Sequence, residues 1–261
     1  MKRTFLASVI ALFSVSTQAN SFQHQADASF GWGDVLTGEV QNWSLRHAFY
    51  LTPVRYGSAP YAEAAFISRN ASVHGGYDYI RFDFPGSDSL SASSWQVGGV
   101  YQDRGHNFYA AAELVEFNGS DDRGINASLG YFVDTDWLVK LDARHVREDG
   151  AASYTEYGVS TKKLLALENG NFINIEASFF DQKNADESEF SVAADYYFGR
   201  NVSLGLVYDW LSDDLVNADA DSYTIRGTWY LQPNLALHAA ITLDDIFTAD
   251  DIYRLGASYR F

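Results

Sequence analysis

The stretch DIYRLGASYRF, residues 251–261, alternates apolar and polar side chains up to a final Phe. Successive side chains of a β-strand point to opposite faces. One face of this stretch therefore carries Tyr253, Leu255, Ala257, Tyr259 and Phe261, and the other Ile252, Arg254, Gly256, Ser258 and Arg260. A strand that alternates to its last residue suits a sheet that closes on itself, because closure leaves no edge to protect. Phe261 is then expected at the rim of the closed sheet.

The same period of two recurs upstream. Leu235, Leu237, Ala239 and Ile241 oppose Ala236, His238, Ala240 and Thr242. Val202, Leu204, Leu206, Tyr208 and Trp210 oppose Ser203, Gly205 and Asp209. Trp137, Val139, Leu141 and Ala143 oppose Lys140, Asp142 and Arg144. Clusters of Gly, Asn, Asp and Pro separate the runs at 103–107, 134–136, 168–171, 199–201 and 231–234, as hairpin turns require. The pattern predicts strands near 22–33, 41–52, 71–84, 92–103, 106–117, 123–134, 136–147, 151–164, 171–183, 187–199, 201–212, 219–230, 235–246 and 251–261. Fourteen is even, as single-chain bacterial barrels require; twelve is the alternative count. The run at 71–84 alternates poorly, and Lys163 falls on the same face as Tyr157 and Val159. Residues 53–70 are too long for a tight turn. They can extend the third strand, form a short helix or fold inward.

A soluble β-sandwich alternates too, with its apolar face turned to a core. Three features favour a membrane-spanning, antiparallel, up-and-down barrel. The polar face mixes small residues with charges of both signs, as a wet lumen would. The runs hold about nine to eleven alternating residues, enough for a tilted bilayer crossing. Trp137, Trp210, Trp229, Tyr253 and Phe261 lie toward the ends of their runs, where interfacial girdles sit. With this orientation the lumen receives Asp27, Arg46, Glu113, Lys140, Asp142, Arg144, Glu156, Glu176, Asp195, Asp209, Arg226, His238 and Arg254. Such charges filter solutes in a channel, or pair across strands and keep the interior wet.

At the other end, Met1-Lys2-Arg3 precedes the apolar run TFLASVIALFSV and the small residues Thr17 and Ala19. This is the pattern of a cleaved secretory signal covering residues 1–19, with a barrel domain over 20–261. The chain has no Cys, so disulfides and thiolate chemistry are excluded. Its net charge of −16 argues against nucleic acid. Acidic residues gather in the connections opposite Phe261: Asp121, Asp122, Glu148, Asp149, Asp186, Glu187, Asp213, Asp214, Asp219, Asp245, Asp250 and Asp251. They solvate the loops, attract cations to a pore mouth, or bridge divalent ions to lipopolysaccharide.

No enzyme is expected. His238 is flanked on its own face by Ala236 and Ala240, and His145 by Arg147 two residues on, so no run presents a triad-like spacing. No phosphate loop or metal-ligand cluster is present in the sequence, and no cofactor is expected.

The N-terminal segment, the length and the closing YRF are similar to small porins of Gram-negative proteobacteria. The stretch PYAEAAFISRNASV, residues 60–73, resembles a segment of a porin family of marine gammaproteobacteria. That resemblance implies a place in the Gram-negative outer membrane, among its lipids and lipopolysaccharide, and passive diffusion of small hydrophilic solutes and ions. With the acidic connections, it leads to the expectation of weak cation selectivity. It also implies that Tyr259 and Phe261 form a terminal signal read by the barrel assembly machinery. It carries over no catalytic residue and no particular substrate. The rival expectations are a non-conducting barrel plugged by residues 53–70, with a structural or adhesive role, and a soluble exported β-sandwich binding module.

Overall fold

The computed structural model describes residues 20–35, 38–103, 105–120, 122–147, 150, 153–182, 187–213, 218–244 and 251–261. The expected signal segment lies outside them. Fourteen strands follow one another: β1 Ser21–Val35, β2 Gly38–Arg55, β3 Ser72–Asp83, β4 Leu90–Asp103, β5 Phe108–Phe117, β6 Arg123–Asp134 and β7 Trp137–Arg147. Then come β8 Tyr154–Ala166, β9 Phe172–Gln182, β10 Glu187–Phe198, β11 Val202–Asp213, β12 Ala218–Gln232, β13 Leu235–Asp244 and β14 Ile252–Arg260. Each pairs antiparallel with its neighbours in sequence, and β1 pairs with β14 to close the barrel. The closing register sets Gln25 against Arg260 and Gly33 against Ile252. The Phe261 carbonyl extends this seam beyond β14 by accepting the backbone N–H groups of Gln23 and His24, at 3.0 and 2.8 Å.

The barrel is apolar on the outside. Among the described residues, 34 large apolar side chains are exposed, Leu141 at 69% and Leu129 at 59%, whereas 12 apolar residues are buried. A large apolar side chain left in water forfeits about 1.5–3 kcal/mol, so a surface of this kind calls for hydrocarbon around it. This surface removes the soluble sandwich. Aromatic rings mark both ends of the apolar band. At the end carrying the β1–β2 connection, Phe30 packs on Trp32 and Trp43, at centroid distances of 5.5 and 4.4 Å, and Trp32 on Tyr253 at 5.8 Å. At the other end Tyr259 stacks on Phe261 at 5.7 Å, and Phe261 on His24 at 5.0 Å.

Two irregularities of the sequence pattern have local causes. Lys163 does point outward, but its ammonium sits 4.5 Å from the Trp137 ring centre at the end of the band. There a long side chain can reach the interface. In β3 the alternation fades because Gly75 and Gly76 interrupt it. Gly76 stands opposite Arg46, and a Cβ there would lie 3.2 Å from the Arg46 Cγ. The missing side chain is therefore what lets Arg46 lie along the wall.

Residues 56–70 turn into the lumen between β2 and β3. They form a 3-10 turn, Tyr61–Glu63, followed by the short helix α1, Ala64–Ser68. Of the three alternatives for residues 53–70, extension of the third strand is thus removed, because β3 begins at Ser72 and it is β2 that runs on to Arg55. Five helical residues are too few to be stable alone, so packing holds them. Ala64 joins Phe22 and Val54 in a small buried cluster, with Tyr50 and Tyr56 against it. The helix ends on Arg69 in the left-handed region, φ 50°, a conformation that costs a non-Gly residue about 1–2 kcal/mol. The Arg69 guanidinium offsets that cost by donating to Asn107 Oδ1 at 2.6 Å and the Asp134 carbonyl at 2.9 Å, over the Phe132 ring.

Candidate functional site

The period of two that makes the outside apolar turns the other side chains inward, so the candidate site is the lumen. Its wall over β8–β12 is a connected polar network. Arg226 donates two hydrogen bonds to Asp195, at 2.8 and 2.6 Å. The Asn174 amide, on β9, donates to Asp195 at 3.2 Å and to Glu176 at 2.9 Å. Lys162 bridges Glu176 at 2.7 Å and Glu63 of the inward segment at 2.9 Å. Tyr197 donates its hydroxyl to Glu63 at 2.7 Å. Asp195 and Glu63 are 6% and 4% exposed, so these carboxylates stand away from water and depend on their partners.

Next to it, β6–β8 hold a second group. Asp142 accepts from the hydroxyls of Ser128 and Ser160 and sits 3.5 Å from the Lys140 ammonium. Arg144 pairs with Glu189 at 2.7 Å and Glu156 at 3.5 Å, its guanidinium 3.6 Å from the Phe180 ring centre. Glu113 takes the Asn126 amide at 3.1 Å and lies 3.0 Å from His74.

The wall over β13, β14, β1, β2 and β3 is looser. Asp27 accepts from the Gln25 amide and from Ser258, whose hydroxyl lies 2.6 Å from His238 Nε2. Arg46 reaches Asp78 only at 3.4 Å, with half of its side chain exposed. Arg254 lines the cavity with no partner among the described residues. Asp209 is aligned with Ser191 on β10 and Ser222 on β12, on the Asp195 face, without a hydrogen bond among the described residues.

All eleven principal lumen candidates therefore lie on inward positions: Asp27, Arg46, Glu113, Lys140, Asp142, Arg144, Glu176, Asp195, Asp209, Arg226 and Arg254. Most pair across strands instead of converging on one constriction. Five further residues escaped the sequence reading. Lys162 shares the face of Gly158 and Ser160 and was readable by parity. Asp78 and His74 lie in the strand whose glycines blur parity. Arg260 shares the face of Arg254, and only Glu63, inside the turn, had no periodic signal. Of the acidic connections, Asp121, Glu148, Asp149, Asp186, Asp214, Asp245 and Asp250 lie outside the described residues.

Two cavities of the interior are lined by described residues. One, about 640 Å³, lies at the β14–β1–β2 seam and reaches Ala62 of the inward segment. The other, about 590 Å³, is lined by Lys140, Asp142, Arg144 and Lys162 and reaches Ala65 and Phe66. A hollow of about 910 Å³ lined by Phe30, Trp32, Tyr253 and Leu255 lies on the outer, lipid-facing surface and is not part of the path. The inward segment is fixed beneath both cavities. Arg260 donates to the Tyr61 carbonyl at 2.7 Å, and Arg200 to that of Ala59 at 3.2 Å. Burial pushes the Tyr56 phenol up to about 12, against the opposing pull of the Arg260 charge. A charged interior crossed by a polar segment is able to admit and sort small polar solutes. His238 meets two hydroxyls there, Ser258, which is 4% exposed, at 2.6 Å and Thr228 at 3.0 Å.

The whole chain, residues 1–261, matches the model of a family described as general bacterial porin. No curated protein matches it in sequence. Among solved structures it is similar to the outer-membrane protein Omp33 of Acinetobacter baumannii, at 16% identity and a TM-score of 0.73, with 94% of this chain and 100% of that one covered. A bacterial polysaccharide outer-membrane secretin matches at 6% identity and TM-score 0.55, over 94% and 100% of the two chains. OprB of Pseudomonas putida matches at 7% and 0.51, over 100% and 98%. At such identities the likeness is one of fold.

Proposed function

The chain belongs to the general bacterial porin family, a barrel of the Gram-negative outer membrane, and from that premise we propose that it passes small hydrophilic solutes and ions by passive diffusion, with weak cation preference. The observation that carries this reading is the lumen itself, a wall of both charge signs around cavities of about 640 and 590 Å³. Fixed charges of both signs across a narrow path select by charge as well as size. The cation preference is supported by the net charge of −16 and by the acidic residues that the sequence gathers opposite Phe261. The family and the barrel also favour a channel over an enzyme.

The test is single-channel recording of the refolded barrel in a planar bilayer under a salt gradient. Discrete steps with a cation-side reversal potential are expected. Neutralising Asp213, Asp214, Asp219 and Asp221 together is expected to move that potential toward zero. An unchanged potential would remove the acidic mouth from the reading.

One observation favours a second reading, a barrel plugged at rest. Residues 56–70 lie in the lumen and are tied to β8, β10 and β14 through Glu63 and Tyr61. If they block the path, the intact protein inserts without conducting, and deleting residues 56–69 creates steps. A deletion that leaves conductance at zero counts against the plug. We further propose that Tyr259 and Phe261 act as the terminal assembly signal for the barrel assembly machinery. Removing Phe261 is expected to lower the inserted fraction in vivo while refolding into detergent is retained. Lipopolysaccharide contact through divalent ions at the acidic connections is proposed on the same sequence grounds. It predicts chelator-sensitive copurification.

A further inference from the structure

The cavity at the β14–β1–β2 seam is lined by Arg46, Arg226, Arg254 and Arg260, against Asp27 and Asp78 and the His238 imidazole. Their existing partners separate these groups. Arg226 is held by Asp195 at two points. Arg260 lies between the rings of Phe22 and Tyr230, at 4.6 and 5.0 Å, and donates to Gln25 and to the Tyr61 carbonyl. Asp27 already accepts from Gln25 and Ser258. What stays open is the guanidinium of Arg254, which has no partner among the described residues, and that of Arg46, held by two long contacts, to Asp78 at 3.4 Å and to the Ser44 hydroxyl at 3.3 Å.

The backbone leaves these two side chains room. Arg254 stands directly opposite Gly31, and Arg46 opposite Gly76. Arg254 is level with Gly31 on β1 and Arg46 with Asp27, four residues further from the β1–β2 connection. At a rise of about 3.3 Å per residue this staggers them by roughly 13 Å along the strand direction, so they form successive stations, not one chelate. A guanidinium offers paired donors that match a carboxylate. A phosphate dianion fits less well, because Asp27 and Asp78 line the same chamber and repel a second negative charge.

We propose that this chamber is a binding station for the carboxylate group of small organic acids, with Arg254 as the outer and Arg46 as the inner ligating residue. The proposal rests on the reading that the lumen admits small hydrophilic solutes. It places local anion recognition beneath a mouth whose overall charge attracts cations. The station is weak by design, since a diffusion channel must release what it binds.

The test is ligand-observed NMR on the refolded barrel in detergent micelles, which requires no conduction. Propionate, its neutral isostere propionamide, and inorganic phosphate are titrated separately. Propionate is expected to bind about tenfold more tightly than propionamide, the scale of a charge-assisted pair, and more tightly than phosphate. The double substitution Arg254→Gln with Arg46→Gln should bring propionate down to the propionamide level. Lys163→Gln on the outer face, which also removes a cation, should leave it unchanged. Heat-modifiable migration in detergent gels confirms that each variant is folded. Equal binding of acid and amide, no loss in the double variant, or tighter phosphate binding would each overturn the assignment. Liposome swelling decides the underlying reading separately. Swelling without propionate binding removes only the station, and binding without swelling removes only the conduction.

Discussion

The two walls of the lumen use similar residues in opposite ways. On β8–β12 the central charges are held by close partners: Lys162 between Glu176 and Glu63, and Asp195 between Arg226 and Asn174. On β2 and β14 two charges are held loosely, Arg46 by contacts of 3.4 and 3.3 Å and Arg254 by no partner among the described residues, while Arg260 and Asp27 beside them are held closely. Residues 56–70 dock on the first wall through Glu63 and reach β14 through the Tyr61 carbonyl. The second faces a cavity of about 640 Å³. Paired charges in this lumen act as fastenings, and we propose the loosely held ones as surfaces for a passing solute.

The largest test of that contrast is Lys162→Met. It removes the cation shared by Glu63 and Glu176 and leaves a carboxylate that is 4% exposed without its counter-ion. Breaking a buried pair from one side costs about 3–5 kcal/mol. The expected outcome is a released segment 56–70, read as new protease cleavage within it, while the strands stay protected. A segment that remains uncut would mean that the wall does not fasten it.

A pair of substitutions compares the walls directly. Arg226→Gln leaves Asp195, 6% exposed, with only the Asn174 amide, and is expected to destabilise by about 2 kcal/mol. Arg46→Gln removes an exposed, one-point pair and is expected to change stability by less than about 1 kcal/mol. The shift in urea midpoint in lipid vesicles measures both. Equal shifts would erase the distinction between the walls.

The glycines of the wall sharpen the same contrast. A Cβ on Gly205 would collide with the Asp195 carboxylate that lies across it, and one on Gly98 would meet His74 at 2.6 Å. On Gly227, which shares the outward face of Ile225 and Trp229, it would meet nothing nearer than 3.5 Å. Gly205→Val is therefore expected to displace Asp195 from Arg226 and cost about 1–2 kcal/mol, with a lower conductance as the side chain enters the path. Gly227→Ala is expected to be nearly silent in both measurements.

Much of this was legible in the sequence because a membrane barrel obeys one short rule. Period-two alternation placed all fourteen strands within a few residues of their ends, and parity placed the eleven lumen candidates inward. Parity speaks only of a face, however. It could not show that Asp195 meets Arg226 while Arg254 meets no partner among the described residues, since that depends on rotamers and on which strands adjoin. It failed at 71–84, where Gly75 and Gly76 carry no side chain to assign. It was silent over 56–70, because a 3-10 turn and five helical residues have too few repeats to show a period. The role of Glu63 arises entirely from the wall it meets.

The smallest expected effect concerns the floor on which that segment rests. Tyr56 packs against Phe22 at 5.3 Å and edge-on to Tyr61 at 5.4 Å, and burial raises its phenol from 10.0 to about 12. The folded form then holds the proton more tightly than the unfolded chain. The stabilisation is complete below pH 10, declines as the unfolded phenol ionises, and is lost as pH rises through about 12. Docking of residues 56–70 should accordingly weaken between these values, read as rising protease sensitivity or channel opening at alkaline pH. Tyr56→Phe keeps the ring contacts and removes the ionisation, so it should remove the Tyr56 part of that alkaline loss. The phenolate absorbance of the wild type minus that of the variant should show one tyrosine titrating late. If the variant loosens over the same pH range as the wild type, the alkaline weakness lies in other groups, and Tyr56 serves the floor by shape alone.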